Sequence, residues 1–99
     1  MTKKQILTFL KANKEKFAQK YHIANFILFG SYAREENHQN SDIDLIYSLQ
    51  EGAKLSFDKY MEFEAELKKA FNNTDVDLVN AKKFNPLIKI EAKKDFIHV

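Results

Sequence analysis

The chain has 99 residues, a formal net charge of +2 and no cysteine. That length predicts one domain burying about two-thirds of its unfolded surface; without cysteine there are no disulfides or thiolate metal sites, which suits the cytoplasm. Lysines interleaved with acids give no block that argues for direct nucleic-acid binding, and no apolar run reaches the length of a membrane span or a secretory leader.

Thr2-x-x-Gln5 has the form of a capping box. It predicts a helix carrying Ile6, Phe9, Leu10, Phe17 and Tyr21 on one face. His22 to Gly30 holds a first strand, in which Phe26-Ile27-Leu28-Phe29 is a buried apolar run. Ser31 to Glu36 predicts a short helix with Ser31 at or near its N-cap, followed by a polar loop, Asn37 to Asn40. Ser41 to Tyr47 is the second strand. Gly52 breaks the chain between Gln50 and Lys54. Ser56 then caps a long helix to about Asn72, with Phe57, Tyr60, Met61, Phe63, Leu67 and Phe71 directed at the core. Asn72-Asn73-Thr74 is a turn, Asp75 to Asn80 a third strand. Pro86 opens a last helix, Leu87 to about Lys94, and Phe96 to Val99 adds an edge strand. This order predicts an α/β or α+β fold in two layers.

One stretch carries chemistry: Gly30-Ser31, ten residues, then Asp42-Ile43-Asp44. At average residue frequencies that pattern arises by chance in roughly one chain per thousand of this length. Glycine lets the backbone turn sharply and a ligand come close. The first N–H groups of the short helix, its peptide dipoles and the Ser31 hydroxyl suit phosphate oxygens. Arg34, the only arginine among the 16 basic residues, adds a fork able to grip phosphate. Asp42 and Asp44 share one face of their strand, about 7 Å apart along the backbone, and can converge on a hard cation such as magnesium. Asp75-Val76-Asp77 repeats the acid–apolar alternation and supplies a third carboxylate, with Asp77 preferred over Asp75. A strand, a phosphate turn and three acids together describe a two-metal site for displacement at phosphorus. His22, His38 and His98 have no metal-ligand spacing.

The segment FGSYAREENHQNSDIDLIY, followed by TDVDLV, resembles the minimal nucleotidyltransferases (MNT) of the DNA polymerase beta superfamily. It is most similar in kind to the MNT antitoxins encoded beside HEPN-domain ribonuclease toxins. The ending NPLIKIEAKKDFIHV is similar to that family's last helix and terminal strand. The resemblance implies a small mixed sheet flanked by helices, ATP as donor and Mg2+ as cofactor. By match, Gly30 and Ser31 take the phosphate-turn role with Arg34 beside them, and Asp42, Asp44 and Asp77 are the metal-binding and catalytic acids. It also implies a tyrosine of a cognate HEPN toxin as acceptor, which would make the chain an antitoxin. The sequence departs from the family at Glu35, where glycine is frequent; that puts a negative charge near the triphosphate.

Three functions follow as expectations. Turn, strands and acids use most of the polar interior a chain this short provides, leaving little for an acceptor pocket. A macromolecular acceptor or a partner chain that completes the site is therefore expected, with homo- and hetero-oligomers both open. Transfer of AMP to a protein hydroxyl leads. A non-catalytic module that masks a toxin and transfer to a small molecule are the alternatives.

Overall fold

The computed structural model describes residues 1–83 and 93–99. The capping box at Thr2 is formed in full, Gln5 N–H donating to Thr2 Oγ1 at 3.1 Å and Thr2 N–H to Gln5 Oε1 at 2.9 Å. It opens α1 (Lys3–Ala12), and α2 (Lys14–Tyr21) follows. The expected single helix is thus two. Asn13 divides them, its side-chain amide donating to the Phe9 carbonyl at 2.9 Å in competition with helical backbone bonding. The predicted face survives the break, since Ile6, Leu10, Phe17 and Tyr21 are all fully buried.

Four strands form one sheet, β1 (Ile23–Phe29), β2 (Ile43–Leu49), β3 (Val76–Asn80) and β4 (Ile97–His98), in the order β3-β2-β1-β4. β1 runs antiparallel to β2 and to β4, while β3 runs parallel to β2. The parallel pair needs a crossover, and α4 (Phe57–Ala70) supplies it, capped by Ser56 as expected. Between β1 and β2 stands the one-turn α3 (Gly30–Ala33). A bulge between Ile23 and Asn25 shifts the register of β1, so that Ile23, Phe26 and Leu28 all reach the core side. The run Phe26–Phe29 therefore alternates: Phe26 and Leu28 are buried, Ile27 and Phe29 only half-buried. The predicted last helix from Leu87 lies mostly outside the described residues, as does Pro86; Lys93–Asp95 form a 3-10 turn and β4 is an edge strand. No described helix is long and apolar enough to cross a membrane.

The core lies between the helices and one face of the sheet and is built on rings. Phe63 of α4 stands 5.7 Å from Phe17, 5.1 Å from Tyr21, 6.0 Å from Phe26 and 5.7 Å from Tyr47, ring centre to ring centre. It thereby ties α2, α4, β1 and β2 together. Around this cluster Glu66 fastens α4 to α2, accepting from the Tyr21 hydroxyl at 2.6 Å and pairing with Lys16 and Lys20. Burial opposes the Glu66 charge, yet hydrogen bonds from Lys16, Tyr21 and Lys20 outweigh it and hold its carboxyl at about 2. Phe57 and Met61, expected in the core, are instead 76 % and 45 % exposed. At 3.6 residues per turn they lie about 120° and about 160° around α4 from the buried Phe63, on the side turned away from the core.

Truncating Phe63 to alanine leaves a cavity where four elements meet, so Phe63→Ala is predicted to lower unfolding free energy by about 3–5 kcal/mol. Urea titration followed by circular dichroism measures this; a loss near 1 kcal/mol would mean the ring cluster is not what joins the layers.

Candidate active site

Topology brings the motif together before any side chain is considered. β1 ends, and β2 and β3 begin, at the same end of the sheet, because β1 is antiparallel and β3 parallel to β2. The register makes this specific: Phe29 pairs with Asp44, and Asp44 with Asp77. Gly30 therefore turns away beside the Asp44 carboxylate. Directly paired residues share a face, and neighbouring strands lie about 4.8 Å apart, so Asp44 and Asp77 stand side by side. Asp42 lies just ahead of β2 rather than within it, close enough for its charge to act on Asp44.

Gly30 is required twice. Its φ of +76° is a conformation few other residues adopt, and a Cβ there would strike Asp44 Oδ2 and sit 2.9 Å from Asp44 Cγ. Ser31 is not the cap expected of it. The N-cap position falls on Phe29, which offers no side-chain hydrogen bond, and Ser31 lies inside the first turn. With four residues, α3 has almost no macrodipole, so any anion there would be held by the unpaired N–H groups of the turn. The turn closes through Glu35 at φ 59°, left-handed backbone that glycine tolerates best, at the position where the resembling family often carries glycine.

Arg34 is engaged by carboxylates. Its Nε meets Glu36 Oε2 at 3.1 Å and its Nη1 meets Asp95 Oδ2 at 3.3 Å, tying the turn to the segment before β4. Phe29 and Phe96 stack edge to face beside this link, 6.0 Å between centres. Asp75 is drawn away from the cluster: Lys68 Nζ holds its Oδ1 at 2.9 Å, and its carbonyl accepts from Ile43 N–H at 2.9 Å. The partnership of Lys68 and Asp95 with site residues was missed from the sequence. Only the placement of Lys68 in the last turn of the helix before Asp75 could have hinted at the first pair, and nothing hinted at the second.

The electrostatics are those of crowded acids. Burial first, then the charges on Asp77 and Asp42, together push the Asp44 carboxyl up to about 6, while Arg34 pulls the other way. Among the described residues, no three His, Cys, Asp or Glu side chains are already gathered closely enough to hold a metal ion. The donor set nonetheless fits a hard divalent cation: three carboxylates on one rim, repelling one another, with a glycine clearing the space beside Asp44. Asp42, Asp44 and Asp77 would close on it by rotating short side chains.

A folded-state pKa above the unfolded value means the native state keeps a proton that the unfolded chain has released. Stability attributable to Asp44 therefore falls as pH rises from about 4 to about 6, and the penalty persists above that window. Asp44→Asn is predicted to raise the stability of the metal-free protein at pH 8 by about 1 kcal/mol, solvent screening included, and to change little at pH 4. Thermal unfolding in EDTA at the two pH values tests it; a lower melting point at pH 8 would contradict the assignment of crowding.

Comparison with known proteins shows the family and the fold. A profile of the family described as "Polymerase beta, Nucleotidyltransferase" matches residues 11–98. A Methanocaldococcus jannaschii protein provisionally named as a protein adenylyltransferase is 35% identical over 99 residues, 99% of this chain and 98% of its own. A Thermococcus cleftensis protein named protein adenylyltransferase MntA is 32% identical over 79 residues, covering 80% of this chain and 77% of its own. Among solved structures, a protein described as a minimal nucleotidyltransferase superposes with a TM-score of 0.76 at 22% identity, covering 98% of this chain and 95% of that one. A complex described as tri-AMPylated Shewanella oneidensis HEPN toxin with MNT antitoxin gives a TM-score of 0.63 at 19% identity, covering 99% and 71%. At these identities the two structures establish the fold alone.

Proposed function

This chain belongs to the polymerase beta nucleotidyltransferase family, and from that membership we propose that it moves AMP from ATP to a hydroxyl of a partner protein. The partner is a HEPN-family toxin, the acceptor one of its tyrosines, and the outcome is neutralisation of the toxin in the cytoplasm by one minimal nucleotidyltransferase domain. The observation that carries the proposal is the register that sets Asp44 beside both Asp77 and the Gly30 turn. Relatives named protein adenylyltransferase and a neighbour seen with an AMPylated toxin support the choice of nucleotide and acceptor class.

In this mechanism the amides following Gly30 hold the β- and γ-phosphates against the turn. Arg34 exchanges a carboxylate partner for phosphate and fixes the leaving pyrophosphate. Asp42, Asp44 and Asp77 would hold magnesium. Bound there, magnesium neutralises triphosphate charge and makes an attacking hydroxyl more acidic. The acceptor oxygen forms its bond to the α-phosphorus as the bond to the α–β bridging oxygen breaks, and Asp77 takes the hydroxyl proton. Relatives named protein adenylyltransferase favour a protein over a small molecule as acceptor. A purely masking antitoxin would gain nothing from setting Asp44 beside Asp77 and within reach of the Asp42 charge.

The test is transfer of label from α-labelled ATP to the cognate toxin in the presence of magnesium. The doubly substituted Asp42→Asn, Asp44→Asn protein is predicted to lose transfer by at least about a thousandfold, about 4 kcal/mol of barrier, while keeping its circular-dichroism spectrum. Full transfer by that protein, or neutralisation that needs neither acids nor nucleotide, would favour the masking function.

A further inference from the structure

A concavity of about 850 Å³ opens at the other end of the sheet, on the face opposite the acids. Tyr47, Leu49, Leu55, Tyr60 and Leu78 form its apolar floor, and Lys54, Lys82 and Lys83 its rim. No described carboxylate lines it. Phe57 stands on its lip and Met61 one helical turn further along α4; these two are the large apolar side chains left exposed among the described residues. The rim is held in place: Lys82 N–H donates to Asn80 Oδ1 at 2.9 Å at the start of the 3-10 turn Ala81–Lys83. On α4, Glu62 is paired with Lys20 and Lys59, and Glu64 accepts from the Tyr60 hydroxyl at 3.3 Å while keeping its charge.

We propose that this groove docks an acidic amphipathic helix of a partner protein. Charge complementarity selects the chemistry, because three lysines border an apolar floor that carries no acid. Shape selects the size. A small molecule filling the cavity would leave Phe57 and Met61 in water, whereas a helix laid along α4 covers both with its apolar face and presents carboxylates to Lys54, Lys82 and Lys83. The two exposed side chains are four residues apart and so form a single ridge for such a helix to pack upon. The groove lies on the sheet face opposite the acids, but Leu78 follows Asp77 in β3 and the Asp77 charge reaches Tyr60, so docking is read by binding rather than by transfer.

The full chain, uniformly labelled with nitrogen-15, is titrated with a synthetic peptide of about five helical turns, leucines on one face and glutamates flanking them. Amide shifts are expected at residues 54–61 and 78–83. Affinity should fall at least about tenfold at about 1 M salt, where screening shortens to about 3 Å. It should fall similarly in Lys82→Glu with Lys83→Glu, and in Phe57→Ala, a change at an exposed site that leaves the melting point unaltered. Equal binding of a peptide carrying lysine in place of glutamate, shifts centred on Asp44, or no shifts at all would overturn the proposal. So would sedimentation showing a dimer that Phe57→Ala converts to monomer.

Discussion

The pairing of Asp44 with Phe29 on one side and with Asp77 on the other is the constraint from which the chemistry of this fold descends. A sheet has two ends. Antiparallel β1–β2 and parallel β2–β3 together mean that a turn, a strand start and another strand start must coincide at one of them. Once the register is set, no long-range side-chain recognition is needed to assemble the site; backbone hydrogen bonds do it. What fixes the register lies on the other face, where Ile43, Leu45, Phe26 and Leu28 are all but fully buried. A slip of β2 by one residue would turn Ile43 and Leu45 to solvent and Asp44 to the core. Packing on one face thus specifies chemistry on the other.

The same arrangement works against stability. Burial and the charges of Asp77 and Asp42 raise the Asp44 carboxyl, and among the described residues Arg34 is the cation that draws it down. The nearby cation, Arg34, is shared with Glu36 and Asp95, and Lys68 neutralises Asp75, the acid that does not stand beside Asp44. Strain at a site is tolerated when the surroundings over-determine it. Here the aromatic cluster around Phe63 and the Glu66 fastening of α2 to α4 supply that surplus.

Much of this was legible in the sequence. Gly30-Ser31, Asp42 and Asp44 at their spacing, alternation around Asp77, the Thr2 and Ser56 caps and the mixed sheet flanked by helices each rest on local chemistry, and the fold matches. The details that eluded it depend on tertiary context. Asn13 breaks the first helix without glycine or proline to announce it. Ser31 reads as at or near the cap, but the turn starts at Gly30, with positive φ, and the N-cap falls on Phe29, two residues before Ser31. Phe57 and Met61 are four residues apart and so look like part of an apolar face, but they form a second stripe on the side of α4 away from Phe63. The links from Arg34 to Asp95 and from Tyr21 to Glu66 span 61 and 45 residues, beyond any local signal.

The central claim is that the acids of β2 and β3 close on a divalent cation opposite the Gly30 turn. Crystals grown with manganese and a non-hydrolysable ATP analogue, measured at the manganese absorption edge, test it most directly. The account predicts an anomalous peak at coordination distance from Asp42 and Asp44, with Asp77 on the same side and triphosphate oxygens against the amides after Gly30. A nucleotide seated elsewhere, or manganese bound without contact to Asp44, would contradict it.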